Sequence, residues 1–117
     1  MILLTMIFLH IVDDYVLQGI LAQLKQKKFW KENAPYEMYK YDYIWALIMH
    51  SFSWTFMISL PLFLGGAAGP LFYIVFILNI AVHAFVDDLK ANRFKINLWG
   101  DQLIHMAQIL ITFFIFA

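Results

Sequence analysis

The sequence contains no cysteine, and charged side chains make up only 14% of its residues. The absence of cysteine excludes disulfides, thiolate zinc sites and cysteine nucleophiles. Eight Lys and Arg balance eight Asp and Glu, which excludes nucleic-acid binding through bulk positive charge. A soluble domain carries about a quarter of charged residues, so this chain has too little charge for that class.

Apolar residues dominate instead. They make up 63% of the 117 residues, and the mean hydropathy is +0.73. This length allows a single domain, and a small soluble domain has too much surface to hide so many apolar side chains. The same composition excludes disorder. We therefore predict one multi-pass membrane domain over residues 1–117, in contact with the lipid bilayer.

The longest uncharged stretch runs for 44 residues, from Tyr43 to Val86. A membrane-spanning helix needs about 20 apolar residues, so this stretch holds two helices. The run Gly65–Pro70 divides them, because glycine and proline end helices and form turns. Two more apolar stretches flank this pair, and the sequence predicts an all-α, four-helix membrane bundle. Its helices are expected at roughly 1–24, 43–64, 70–89 and 98–117.

All eight basic side chains lie in two connecting loops, 25–42 and 90–97. The opposite side has the Gly65–Pro70 turn and both termini, with no basic side chain. By the positive-inside rule both basic loops face the cytoplasm and both termini face outward. Aromatic residues crowd the same boundary, where an aromatic belt is expected. The prediction is a protein of the inner (cytoplasmic) membrane, with a short amphipathic piece in loop 25–42.

Each predicted helix carries one histidine, and three of them also carry an aspartate four positions away. The pairs are His10 with Asp14, His83 with Asp87 and, in reverse order, Asp101 with His105, while His50 stands alone. Residues at i and i+4 share a helix face. Because the last helix runs opposite to the first and third, the reversed order places every histidine deeper than its aspartate. The spacing predicts a layer of imidazoles about 10 Å below the cytoplasmic surface.

Imidazole and carboxylate are ligands for zinc, manganese and iron, and helix bundles build metal sites from such inward-facing side chains. We therefore predict a divalent-metal centre, with zinc as the first choice because histidine predominates. Its expected ligands are His10, Asp14, His50, His83, Asp87, Asp101 and His105. The expected supporting residues are Asp13 as a reserve ligand, and Gln18 and Gln102.

Two other interpretations of the buried polar residues stay open: a proton or ion pathway, and a structural polar core. Some residues have simpler expected roles. Asp88 lies off the His83–Asp87 face, so we expect it to pair with one of the basic residues Lys90, Arg93 and Lys95. Asn79 is expected to make a hydrogen bond between helices.

The string His10-x-x-x-Asp14-Tyr15-x-Leu17-Gln18 resembles the opening signature of a family of small membrane proteins of unknown function in bacteria and phages. In that family a Lys-rich segment with Trp, a His, a His-x-x-x-Asp and an Asp-Gln-x-x-His follow. The matching segments here are Lys25–Trp30, His50, His83–Asp87 and Asp101–His105. The resemblance implies a four-helix membrane protein. A more distant similarity is to bacterial inner-membrane metal-dependent hydrolases, and it implies hydrolysis.

A metal with an open coordination position makes hydroxide available near pH 7. We therefore predict hydrolysis of a membrane-associated ester or phosphoester, with a lipid or amphiphile as substrate. Whichever of Asp14, Asp87 and Asp101 is not a ligand is the expected general base. Lys25 or Lys28 is expected to hold an anionic group of the substrate.

The alternative is a non-enzymatic protein: an ion or proton conductor, or a phage-type membrane effector that binds a host protein. The outer halves of the helices carry few polar residues, chiefly Thr5, Thr55, Ser59 and Thr112. This argues against a continuous pore within one protomer. A pore between the protomers of a homo-oligomer stays open.

Overall fold

The computed structural model of residues 1–117 is helical throughout, without any strand. Its α-helices, in chain order, are α1 (Ile2–Val12), α2 (Leu21–Leu24), α3 (Lys27–Asn33), α4 (Asp42–Leu64), α5 (Pro70–Ala91) and α6 (Leu98–Phe116). A π-helix, Asp13–Leu17, continues α1, and a 3-10 turn, Glu37–Tyr39, precedes α4.

Three of the helices, α4, α5 and α6, are long and apolar enough to cross a membrane. The sequence predicted them at 43–64, 70–89 and 98–117, and each is confirmed with small changes at its ends. Pro70 occupies the first turn of α5, where its missing N–H costs no hydrogen bond. The side chain of Asn97 caps α6 by accepting the N–H of Gly100 at 2.9 Å.

The prediction of one continuous helix over residues 1–24 is wrong. The helical run ends at Leu17, and Gly19 then adopts a left-handed backbone with φ +53°, a conformation that favours glycine. The run Ile2–Leu17 is about 24 Å long at 1.5 Å per residue, shorter than the hydrocarbon core of about 30 Å. The rest of the predicted helix is the short α2.

The predicted loop 25–42 is largely ordered into α3 and the 3-10 turn. Asn92, just after α5, holds this segment in place. Its Nδ2 donates to the carbonyl of Lys25 at 3.0 Å, and its Oδ1 accepts the N–H of Lys27 at 2.6 Å. The second basic loop is correspondingly shorter than predicted, because α5 continues to Ala91.

The long helices and α1 pack side by side: α1 contacts α4 and α6, and α5 contacts the same two helices. Ile2 lies beside Gly65, and the rings of Phe72 and Phe116 are 5.8 Å apart. Both ends of the chain therefore lie at the same end of the molecule as the Gly65–Pro70 turn. We call this the turn end, and the opposite end, which carries α2 and α3, the loop end.

The buried apolar core lies toward the turn end. Its six members are Met6, Trp54, Ile58, Leu62, Phe72 and Ile109. On the loop-end side of Trp54 the buried residues become mostly polar, beginning with the four histidines. The interior thus has an apolar half and a polar half, which meet at one tryptophan.

Candidate metal centre

The four histidine rings meet in one layer, as the spacing predicted. The ring centroids of His50 and His83 are 5.0 Å apart, and those of His83 and His105 are 4.0 Å apart. His10 completes the layer at 6.1 Å from His105. All four side chains are at most 1% exposed, so the layer lies inside the bundle.

Trp54 forms the floor of this layer. Its indole stacks on His83 with centroids 4.2 Å apart, and it also lies against His105 at 5.3 Å. The sequence analysis did not include this residue. Its position four residues after His50, on the same face of α4, was the signal that could have identified it.

His10 is fully occupied by protein partners. The indole N–H of Trp54 donates to Nδ1 of His10 at 2.7 Å, and an indole nitrogen can only donate. The Nδ1 atom is therefore the acceptor, and Nε2–H donates to Oε1 of Gln102 at 2.9 Å. The ring orients its neighbours and offers no free lone pair, although the sequence analysis expected it to bind metal.

Asp14, His50 and His83 form a first group of potential ligands, which we call site A. Their ligand atoms all lie within 4.8 Å of one another. The Nε2 atom of His50 is 3.2 Å from Oδ1 of Asp14. The Oδ1 atom of Asp14 and both ring nitrogens of His50 and His83 are buried and make no hydrogen bond.

Asp87 stands beside site A. Its Oδ2 atom is 3.3 Å from Nε2 of His50 and 3.5 Å from Nε2 of His83. Ligands bound tetrahedrally to zinc at about 2.0 Å stand about 3.3 Å from one another. The separations between these nitrogen and oxygen atoms therefore match those around a shared metal ion.

A second group, site B, consists of His83, Asp87 and His105. The Nε2 atom of His105 lies 3.2 Å from Oδ1 of Asp87 and 3.1 Å from Oδ1 of Asp101. Its Nδ1 atom contacts Oε1 of Gln108 at 3.1 Å. Gln108 was not predicted, and it supplies the hydrogen bond to the second ring nitrogen that metal-bound histidines usually make.

The π-helix turns two consecutive aspartates toward the interior. Asp13 is 1% exposed and accepts a hydrogen bond from Ser53 at 2.6 Å, while its Oδ2 lies 3.6 Å from Nδ1 of His50. In a regular helix the two carboxylates would diverge by about 100°, and the wider turn of a π-helix reduces that angle. Asp13 thus supports His50.

Lys25 lies inside the polar half, which the sequence analysis did not expect. It is only 7% exposed, and its Nζ is 2.9 Å from Oδ2 of Asp87. The sequence predicted a cytoplasmic cation free to hold a substrate anion. Lys28 is exposed and lies 3.8 Å from Glu32, away from the histidines, so it is not part of the centre.

A small cavity of about 40 Å³ opens at the loop-end side of the centre. Asp14, Asp87 and Asp101 line it together with Lys25 and Lys90. Two glutamines that the sequence analysis selected also line it. Gln18 donates to the backbone of Asp14 at 3.1 Å, and Gln102 donates to Asp101 at 3.0 Å and to Asp14 at 3.3 Å.

The two simpler expectations hold. Asp88 accepts a hydrogen bond from Arg93 at 3.0 Å, and Lys90 instead reaches Asp101 at 3.4 Å. Asn79 donates across the helices to Thr112 at 2.9 Å.

A larger cavity of about 440 Å³ lies at the loop end, between α3 and the start of α4. Its walls are mainly aromatic and basic, and we call it the aromatic–lysine cavity. The lining aromatics and lysines are Lys27, Trp30, Lys31, Tyr36, Tyr39, Lys40, Tyr41 and Tyr43. Trp30 connects it to the metal centre, because its indole donates to the carbonyl of Leu24 at 2.7 Å, next to Lys25.

Comparison with protein-family models, curated proteins and solved structures finds no match for this chain. The family resemblance noted in the sequence therefore stays a prediction.

Proposed function

We propose that this protein is an integral-membrane, metal-dependent hydrolase that acts on a membrane-associated ester or phosphoester from the cytoplasmic side. One observation carries the proposal: the buried, converging ligand atoms of Asp14, His50 and His83 make no hydrogen bond.

The alternatives account for that observation less well. A buried polar group without a partner costs about 1–3 kcal/mol, so a purely structural core would pair these atoms with hydrogen-bond donors or acceptors. A proton relay needs a continuous hydrogen-bonded chain, and no protein group joins the nitrogens of His50 and His83 to one. A divalent cation, in contrast, would accept the converging lone pairs of these nitrogen and oxygen atoms, which stand about 3.3 Å apart around a tetrahedral metal.

Within this proposal, site A holds the metal. The ligands are His50, His83 and Asp14, with Asp87 beside them. Three protein ligands leave a position for water, and zinc in such a site lowers the pKa of that water to near 7. Manganese and iron suit the same donors. Asp101 faces the small cavity and is not a ligand of site A, so it is the proposed general base.

The aromatic–lysine cavity supports an amphiphilic, anionic substrate. Its three lysines outnumber its one acidic residue, Glu37, and its volume is in the range of small-molecule sites. Lys27, Lys31 and Lys40 thus take the role that the sequence analysis gave to Lys25 and Lys28. Aromatic side chains of this kind sit at the headgroup level of a bilayer.

The proposed topology is a four-segment transmembrane bundle with the loop end in the cytoplasm and both termini outside. Three spanning helices and the shorter run Ile2–Leu17 supply the segments. The basic residues of loops 25–42 and 90–97 support the orientation. The apolar core at the turn end closes the outer half, which favours a hydrolase over a conductor within one protomer.

The first experiment is elemental analysis of the purified protein beside two variants. His83→Ala is expected to remove the metal, since His83 belongs to both candidate groups. Asp88→Asn, which changes an aspartate that pairs with Arg93, is expected to retain it. Metal content near zero in the unsubstituted protein would eliminate the proposal and favour the proton pathway.

The second experiment tests the activity with a screen of lipids and phosphoesters on metal-loaded protein. Asp14→Asn and His105→Ala serve as the inactive controls. If no substrate is hydrolysed while reconstituted vesicles show metal-sensitive ion flux, the conductor replaces the hydrolase.

A further inference from the structure

Sites A and B lie on either side of Asp87. Its Oδ2 atom faces His50 and His83, and its Oδ1 atom faces His105. A carboxylate between two groups of ligands can bridge two metal ions, as in two-metal hydrolytic sites with ions about 3.5–4 Å apart. The donor set by itself is therefore large enough for two ions.

The two sites differ in how their atoms are satisfied. In site A the ligand atoms of Asp14, His50 and His83 have no hydrogen-bond partner. In site B the Nε2 atom of His105 is hydrogen-bonded to Asp87, while His83, which the two sites share, and Oδ1 of Asp101 have no partner.

Lysines hold the two carboxylates that face His105. The Nζ atom of Lys25 is 2.9 Å from Oδ2 of Asp87, the oxygen that also faces His50 and His83, and the Nζ atom of Lys90 is 3.4 Å from Oδ2 of Asp101. Two ammonium groups together carry the charge of one divalent cation. Both carboxylates that face His105 thus have an ammonium partner, whereas Asp14 of site A has none.

The formal charges of the whole centre lead to the same conclusion. Four aspartates lie within it, Asp13, Asp14, Asp87 and Asp101, against the two lysines Lys25 and Lys90. With neutral histidines the balance is two negative charges, which one divalent ion cancels. A second ion would leave two positive charges in a low-dielectric interior, where unpaired charge is costly.

We infer that Lys25 and Lys90 stand in for a second divalent metal ion, so that the protein binds one metal, in site A, and keeps site B closed to cations. The inference rests on the proposed metal centre and specifies its stoichiometry. Removal of both ammonium groups should open site B, with His105, Asp87 and Asp101 as its ligands.

The test compares the unsubstituted protein with Lys25→Met/Lys90→Met, loaded with Mn²⁺ in detergent. Elemental analysis should give one ion for the unsubstituted protein and two for the variant. Electron paramagnetic resonance should show an isolated Mn²⁺ ion in the first case and a spin-coupled pair in the second. Lys28→Met/Lys31→Met removes the same charge from exposed positions, and its stoichiometry should stay at one.

Two ions in the unsubstituted protein, or one ion in the folded Lys25→Met/Lys90→Met variant, would overturn the inference. No ion in the unsubstituted protein would instead remove the proposed metal centre itself. If the double variant does not fold, Lys90→Met alone decides the question, because Lys90 is partly exposed and tolerates substitution better. A second Mn²⁺ ion should then bind at least 10-fold more tightly than to the unsubstituted protein, and an unchanged affinity would count against the inference.

Discussion

The two halves of the interior differ in how their buried polar atoms are hydrogen-bonded. Toward the turn end, apolar side chains fill the space, and the polar residues among them are mostly bonded, as Asn79 is to Thr112 and Gln108. Toward the loop end, several of the converging polar atoms make no hydrogen bond. Eight of the nine buried side-chain atoms that lack a partner belong to the His/Asp half, and only Thr55 lies outside it.

The difference separates stability from function. A membrane protein that only needs to fold can satisfy its buried polar groups internally, and the turn-end half does so. Unsatisfied, converging groups persist where a ligand completes them or where strain serves a function. Under the proposed metal binding, the loop-end half is where this chain gives up stability for function. Substitutions test that division, from the largest expected effect to the smallest.

Trp54→Ala should have the largest effect on stability, because Trp54 belongs to both halves. Replacement of a buried tryptophan by alanine costs about 3–5 kcal/mol. Trp54→Phe keeps most of the packing and loses only the indole hydrogen bond to His10, at about 1 kcal/mol. Unfolding in mixed detergent measures both. Equal losses for the two variants would show that packing across the boundary is unimportant.

Asp87→Asn and Asp88→Asn form a matched pair within the loop-end half. Asp87 lies between the two histidine groups, whereas Asp88 pairs with Arg93. Loss of partners around the ligands typically costs 10–100-fold in metal affinity, so Asp87→Asn should cost about 10–100-fold and Asp88→Asn less than about threefold. Isothermal titration with Zn²⁺ measures this, and similar losses in both variants would contradict the site.

Gln102→Leu and Gln108→Leu distinguish site A from site B. Gln102 contacts Asp14 and His10, while Gln108 contacts His105. If the metal occupies site A, Gln102→Leu should weaken its binding about 10-fold or more, and Gln108→Leu should change it little. If the same titration shows a larger loss of affinity for Gln108→Leu than for Gln102→Leu, the metal occupies site B.

Lys31→Ala should have the smallest effect. Lys31 lines the aromatic–lysine cavity, whereas Lys28 is exposed beside Glu32 and does not. An exposed charge pair contributes about 0.2–1 kcal/mol, which corresponds to a rise in KM of about 1.4–5-fold with kcat unchanged. Lys28→Ala should leave both constants as they are. An equal rise in KM for both variants would mean that general surface charge, and not the cavity, attracts the substrate.

Local patterns were sufficient for much of the architecture. Uncharged length and the Gly65–Pro70 turn located α4 and α5 within a few residues. The i, i+4 pairs predicted that histidines and aspartates from different helices would meet, because helical periodicity is a local property. Apolar length predicted the first helix too long. The stretch is largely apolar to Leu24, but the π-helix at Asp13–Leu17 and the left-handed Gly19 end the helical run.

The sequence by itself therefore determined which residue types share a helix face and which of them meet in one layer of the bundle. Only the tertiary structure decided which of them are free to bind. The Nδ1 lone pair of His10 accepts a hydrogen bond from Trp54, and Lys25, which was predicted at the surface, is buried beside Asp87. Both ring nitrogens of His83 have no hydrogen-bond partner. The reason is physical: periodicity fixes the direction of a side chain, whereas its hydrogen-bond partners come from other helices, whose rotation and register no single segment specifies.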